Sequence, residues 1–155
     1  RSAWEQITSS DHLKQMGLAS PEGLAVHIRS FSFHRGIPQD TSGHGGGFVF
    51  DCRILPNPGR LSKLAHLTGK DSPVIAFLRQ NTSVQTFAEN VSYMIDQAIN
   101  HHLQRGFSDL TINFGCTGGQ HRSVFLAEKA KKHIGEKFKN VKVDLTHREL
   151  ERGHY

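Results

Sequence analysis

The chain contains little cysteine and no long apolar run. Its only cysteines, Cys52 and Cys116, lie in neither a CxxC nor a Cys/His zinc pattern. Two thiols cannot form the disulfide framework of a small secreted domain, so we expect a reducing, cytoplasmic environment and no structural metal. No segment approaches the roughly 20 apolar residues of a membrane helix, and no signal-peptide pattern is found. We therefore expect a soluble protein with no membrane partner.

The length of 155 residues suits a single domain with one core. Residues 1–22 are predicted to form a helix or linker, and residues 23–155 a ligand-binding domain. Because the sequence begins with Arg1 rather than Met, we expect either a piece of a longer polypeptide or a chain whose start has been removed. A fused or separate catalytic domain is a candidate partner. Formation of a homo-oligomer is a further possibility that the sequence leaves open.

Positive charge is concentrated towards the C-terminus. The last 35 residues hold nine of the 19 Lys and Arg but five of the 14 Asp and Glu. This asymmetry favours a phosphorylated or polyanionic partner, and RNA is one candidate. A solvated basic helix face is the simpler interpretation of the imbalance alone. The residues assigned tentatively to RNA binding are Lys129, Lys132, Lys139, Lys142, Arg148 and Arg152.

Hydrophobic periodicity predicts an α/β domain. Alternating or short apolar runs predict strands, and apolar residues spaced by three and four predict helices. The predicted strands are 24–33, 48–51, 110–114 and 141–145, and the predicted helices are 74–80, 84–105 and 121–134. This order favours a single layered domain with a mainly parallel or mixed central sheet flanked by helices.

The segment GCTGGQHRS (115–123) follows a predicted strand and precedes a predicted helix. Its glycines, Gly115, Gly118 and Gly119, allow backbone N–H groups to approach a ligand closely. The helix start adds unpaired N–H groups and a positive dipole end. Further donors on the loop are Thr117, His121, Arg122 and Ser123, and arginine suits phosphate particularly well. The loop therefore predicts a site for an anion with tetrahedral oxygens.

The same loop also fits C-x5-R-S, the pattern of cysteine-dependent phosphatases. In that alternative the Cys116 thiolate attacks phosphorus, Arg122 holds the phosphate oxygens, and Asp40 or Asp51 is the general acid. A small buried cysteine at a strand end is the structural interpretation of Cys116, and we favour it. We expect the protein to have no cofactor.

From about residue 26 to 152 the sequence resembles the C-terminal domain of the RapZ/YvcJ group of bacterial nucleotide-binding and RNase-adapter proteins. The resemblance rests on SFSFHRGIP (30–38), FVFDCRILPNP (48–58), LTGKDSPVIAFL (67–78), GCTGGQHRSV (115–124) and THRELE (146–151). It implies a fold related to a sugar-phosphate-binding subdomain of phosphofructokinase. It also implies binding of a sugar phosphate such as glucosamine-6-phosphate, and of regulatory RNA, rather than catalysis.

The resemblance implies a set of ligand-binding residues at the carboxyl ends of the strands. Asp51 and Arg53 either contact the ligand or form an ion pair that fixes the following turn. The full set implied around the ligand is Gly118, Gly119, Gln120, His121, Arg122, Ser123, Arg35, Asp51, Arg53 and Asn57.

Overall fold

The computed structural model describes residues 23–40, 42–43 and 47–153. The predicted helix or linker over residues 1–22 lies outside these ranges. The described elements, in order, are β1 (Ala25–Ser32), β2 (Gly47–Asp51), α1 (Ser72–Arg79), α2 (Thr82–Arg105), β3 (Asp109–Cys116), α3 (Arg122–Lys137), β4 (Lys142–His147) and α4 (Arg148–Arg152). Turns of 3-10 helix, Phe33–Arg35 and Cys52–Ile54, follow β1 and β2, and a third spans Pro58–Arg60.

The four strands form one parallel sheet in the order β2-β3-β1-β4. The predicted α/β layered domain is confirmed, and the described sheet is wholly parallel. Because the strands share one direction, their carboxyl ends meet along one edge, where ligands of open α/β sheets bind. Ser32 pairs there with Cys116, and Asp51 pairs with Gly115. The loop 115–123 therefore begins at this edge.

The two faces of the sheet differ in polarity because successive side chains on a strand point to opposite sides. Val26, Ile28 and Ile112 are fully buried and belong to the core that the sheet shares with the helices, including Ile95 and Ile134. Each such side chain contributes about 1.5–3 kcal/mol to folding. The alternate positions of the strands carry polar side chains on the other face.

Element boundaries agree with the predictions to within three residues, apart from one element that was not predicted. The helix α4 occupies only five residues and ends at Gly153, which adopts the left-handed conformation at φ 70°. A helix of one turn is too short to show the apolar periodicity on which prediction depends. Among the described residues, no helix is long and apolar enough to cross a membrane.

His27 joins two carboxylates on the polar face of the sheet. Its Nδ1 lies 2.6 Å from an oxygen of Asp144 and its Nε2 lies 2.7 Å from an oxygen of Asp109. Arg29 also donates to Asp144, at 2.8 Å. Burial lowers the pKa of His27, but the hydrogen bonds to Asp109 and Asp144 outweigh it, so the pKa is raised overall. With a partner on both nitrogens, the ring is stabilised as the imidazolium.

We expect this triad to make the domain less stable at alkaline pH. A His whose pKa is higher in the folded than in the unfolded state contributes its full stabilisation of the fold at pH values below the unfolded pKa of 6.5. That contribution is lost as pH rises through the folded pKa. Urea unfolding at pH 6.0 and 8.5 should show a larger loss of stability for the wild type than for His27→Gln. Equal losses in the two proteins would contradict the assignment.

Candidate functional site

In the loop between β3 and α3, the two adjacent residues Thr117 and Gly118 face outward. Both residues are exposed, whereas the residues from Gly119 to Ser123 are buried or nearly so. The carbonyl of Thr117 accepts a hydrogen bond of 2.6 Å from Ser32 Oγ, which ties the loop to the end of β1. The backbone between Cys116 and α3 is therefore fixed before any ligand binds.

The three glycines of the loop differ in what surrounds them. A Cβ at Gly115 would lie 2.4 Å from a ring atom of Phe31, and a Cβ at Gly119 would lie 2.7 Å from Cγ of Glu149. Gly119 also adopts a φ of 69°, which favours glycine. At Gly118 a Cβ would meet nothing within 4 Å. Close packing thus accounts for Gly115 and Gly119, while the space in front of Gly118 is open.

Two predicted ligand side chains hold a neighbouring segment instead. Gln120 Nε2 donates to the carbonyls of Ala65 and Leu67, each at 2.7 Å. His121 Nε2 lies 3.0 Å from the carbonyl of Leu64. Burial lowers the pKa of His121, so the ring is neutral and its Nε2 donates. Both side chains therefore hold residues 64–67 against the loop through hydrogen bonds to backbone carbonyls.

Ser123 and Cys116 contact each other in the interior. Their Oγ and Sγ atoms lie 3.1 Å apart, and both residues are buried. Ser123 is fully enclosed, so its hydroxyl faces the protein rather than the open space at Gly118.

The structure does not bring Cys116 together with Asp40. Asp40 accepts hydrogen bonds from Ser42 and lines a small cavity with His27 and Arg29 on the polar face of the sheet. Asn113 lines the same cavity, and Cys116, three residues further along β3, points to the opposite face. Asp40, one of the two candidates for the general acid, is therefore separated from Cys116 by the sheet, whereas Asp51 pairs with Gly115 beside Cys116.

Arg122 is a buried cation that binds backbone carbonyls. Its NH1 donates to the carbonyls of Arg53 and Leu55, at 2.9 and 3.0 Å, and its NH2 lies 3.4 Å from Thr117 Oγ1. Its buried Nε has no hydrogen-bond partner. In the described part of the chain none of its hydrogen bonds goes to a carboxylate. The positive charge beside Thr117 is therefore not neutralised by a direct partner.

Asp51 and Arg53 form an ion pair. This pairing was one of the two predicted roles for them, the other being direct contact with a ligand. Asp51 accepts from the backbone N–H, Nε and NH2 of Arg53, at 2.7–2.9 Å. The hydrogen bonds from Arg53 and, in smaller part, the charge of Arg122 lower the pKa of Asp51. The Arg53 guanidinium also lies 3.9 Å from the centre of the Phe33 ring. Asn57 caps the next turn by accepting from Gly59 N–H at 2.9 Å.

A second group of arginines surrounds one buried carboxylate next to the loop. Glu149 is fully buried and accepts from the N–H of Ser32 at 2.7 Å and from Nε of Arg148 at 3.0 Å. Nitrogens of Arg35 and Arg152 lie 3.8 and 3.7 Å from its other oxygen. Three guanidinium groups thus share one carboxylate, which leaves an excess of positive charge at the ends of β1 and β4.

The residues assigned to RNA binding are spread over α3, both ends of β4 and α4. Lys142 begins β4 and Arg148 follows its end, so the strand separates them by roughly 20 Å. Lys139 donates to the carbonyl of Gly135 at the end of α3. Lys129 and Lys132 line a cavity between the helices, and Arg148 and Arg152 face Glu149.

Comparison with known proteins assigns the chain to a family. The sequence model described as the RapZ C-terminal domain matches residues 24–151. The chain belongs to the RapZ C-terminal domain family. A protein named nucleotide-binding protein from Acidobacterium capsulatum is 37% identical over 131 residues, which are 84% of this chain and 40% of that protein. Nucleotide-binding protein IL0393 from Idiomarina loihiensis is 40% identical over 148 residues, covering 94% and 47% respectively. The chain thus spans less than half the length of these relatives.

Sequence reasoning missed two parts of the site in this RapZ C-terminal domain. One is the segment 64–69, whose carbonyls bind Gln120 and His121, and whose Gly69 N–H donates to the Gln120 carbonyl at 2.9 Å. The other is Glu149, which lies in the charged segment THRELE and would be expected on the surface. The close approach of Gly119 to the buried Glu149 could not be predicted from the sequence. It depends on how the ends of β1, β3 and β4 are arranged in the folded sheet.

Proposed function

We propose that this RapZ C-terminal domain binds a phosphorylated metabolite at the carboxyl edge of its sheet, with the phosphate against Thr117 and Gly118. The observation that carries the proposal is the open space in front of Gly118, at a loop that is otherwise packed and hydrogen-bonded. A preformed backbone site loses little entropy when its ligand binds.

Charge at this edge favours an anion. Arg122 lies behind Thr117 without a carboxylate partner, and the arginines around Glu149 add further positive charge on the other side of Gly119. The N-terminus of α3 contributes the positive end of its dipole. Arg35, whose side chain is 42% exposed, is the one of these three arginines that the RapZ resemblance also implies.

The resemblance makes a sugar phosphate, glucosamine-6-phosphate, the first ligand to test. Its phosphate would occupy the Thr117–Gly118 position, and half-exposed groups such as Arg53 and Asp51 could reach its hydroxyl or amino groups. The named relatives are nucleotide-binding proteins, so AMP and ATP belong in the same screen. RNA binding is the weaker proposal, because the cations assigned to it are spread over both ends of β4 and over α3.

Gly118→Leu should abolish ligand binding without unfolding the domain. The added side chain meets no neighbour within 4 Å at its Cβ, so it occupies the space proposed for the phosphate. We expect glucosamine-6-phosphate to raise the melting temperature of the wild type, and its affinity to fall at least about tenfold in the variant, as for loss of one charge-assisted hydrogen bond. Thermal shift and calorimetric titration measure both quantities.

Gly135→Ala is the matched control for this substitution. Gly135 lies in α3, and a Cβ there also meets nothing within 4 Å, so the change should leave affinity unaltered. The proposal fails if no phosphorylated compound shifts the melting temperature of the wild type. It also fails if Gly118→Leu binds the ligand as tightly as Gly135→Ala does.

A further inference from the structure

A cavity lies among the helices of the domain, away from the loop. It has a volume of about 560 Å³ and lies between α1, α2, α3 and the segment that precedes α1. Cavities of about 300–1,000 Å³ are typical of small-molecule sites. The cavity is therefore large enough for an organic ligand of its own.

Four cations line this cavity. They are Lys70, Arg79, Lys129 and Lys132, all exposed. In the described part of the chain none of their side chains forms an ion pair or a hydrogen bond. Two carboxylates also line the cavity, Glu128 and Glu136, so cations outnumber them by two. Glu128 is further engaged by Nε2 of His147 at 2.9 Å.

The inner wall of the cavity is apolar. Ile75 of α1 and Phe125 of α3 contribute to it, and both belong to or pack against the hydrophobic core. A cationic rim above an apolar floor suits an anion that carries a hydrophobic portion, because each part then has a matching surface. Lysine ammonium groups on flexible stems can follow a phosphate in more than one orientation.

The cavity and the loop site are separated by the backbone around Gly69. A Cβ at Gly69 would lie 2.3 Å from the carbonyl oxygen of His121 and 2.6 Å from the N–H nitrogen of Phe125. Gly69 lines the cavity on one side and donates to the Gln120 carbonyl on the other, at 2.9 Å. A ligand in the cavity would thus contact the segment 64–69, which is hydrogen-bonded to the loop, but it would not contact Thr117 or Gly118.

We propose that the cavity between α1, α2 and α3 is a second binding site, for a small phosphate monoester with an apolar or aromatic portion. The phosphate lies among Lys70, Lys129 and Lys132, and the apolar portion lies against Ile75 and Phe125. This site is independent of the function proposed for the loop, and either one can exist without the other.

The test uses 1-naphthyl phosphate as the probe. Its binding to the 155-residue chain is measured by calorimetry and by ¹H–¹⁵N NMR. We expect binding that shifts the amide resonances of Lys70, Ser92 and Lys129, and that is tighter than binding of inorganic phosphate. The double variant Lys129→Ala/Lys132→Ala should bind at least about tenfold more weakly, since charge-assisted hydrogen bonds are lost.

Lys139→Ala/Lys142→Ala is the matched control, because it removes the same charge from exposed lysines outside the cavity. The affinity of this control variant for the probe should stay within about twofold of that of the wild type, as expected when the removed charges are distant and screened. An equal loss in the two double variants would reveal diffuse attraction, as for RNA, and would overturn the proposal. So would shifts confined to Thr117–Gly119, equal affinity for inorganic phosphate, or no binding at all.

Discussion

Replacing Glu149 by alanine should lower the free energy of unfolding by about 4 kcal/mol, the loss typical of breaking a buried ion pair. The carboxylate is fully buried and lies among the nitrogens of Arg35, Arg148 and Arg152. Without it, three guanidinium groups repel one another and the N–H of Ser32 loses its acceptor. Chemical denaturation followed by circular dichroism measures the change.

A loss of this size is a large share of the stability of a small domain, so a milder variant is also needed. Glu149→Gln keeps an oxygen that can accept from Ser32 N–H but removes the negative charge. We expect its stability to lie between those of the wild type and the alanine variant. Glu151→Ala is the matched control, since Glu151 is an exposed residue of the same helix. Equal stabilities for the two alanine variants would contradict the central role of Glu149.

The fold was predictable because its elements carry regular apolar patterns. Val26 and Ile28 alternate with polar residues, and Val84, Ala88, Val91, Ile95 and Ile99 recur along α2 at the spacing of one helix face. Such patterns depend only on residues close in sequence. The order of strands and helices left a mainly parallel or a mixed sheet open, and the described sheet is parallel.

The position of the loop 115–123 at the carboxyl edge of the sheet was also predictable, but not the contacts of each of its side chains. The composition of GCTGGQHRS indicates an anion site at the end of a strand, and the residue types alone made every side chain of the loop a candidate. Which of them face the open space at Gly118 depends on distant partners, such as the carbonyls of Ala65 and Leu67 that accept hydrogen bonds from Gln120. The segment 64–69 has no regular pattern, so nothing in the sequence predicts that contact.

Charged residues posed the same difficulty. Arg53 and Arg122 are both arginines at strand or helix ends, yet Arg53 is half-exposed and Arg122 is 5% exposed. Burial changes what each can do, because a buried guanidinium must be satisfied by protein acceptors. The sequence analysis assigned Arg122 to a ligand and left Arg53 between a ligand and an ion pair with Asp51, whereas the fold gives Arg122 a structural role through the carbonyls of the segment after β2.

Replacing Arg122 by alanine should therefore have two separate effects, with about 3 kcal/mol lost from the free energy of unfolding. The variant leaves the carbonyls of Arg53 and Leu55 without their donor, and each buried polar group left unpaired costs about 1–3 kcal/mol. It also removes the positive charge behind Thr117, so a phosphorylated ligand should bind more weakly. Urea unfolding measures the first effect, and titration with glucosamine-6-phosphate at a temperature where the variant is folded measures the second.

Two further variants separate structure from charge at this position. Arg122→Lys keeps the charge but, with a single ammonium group, cannot reproduce the planar fork of donors. It should recover most of the affinity and little of the stability. Arg53→Ala is the control, because its backbone carbonyl remains as an acceptor and its side chain makes a half-exposed ion pair with Asp51 and a contact with the Phe33 ring. That variant should lose about 1 kcal/mol. If Arg53→Ala were as destabilising as Arg122→Ala, the guanidinium of Arg122 would not be what holds the segment after β2 against the loop.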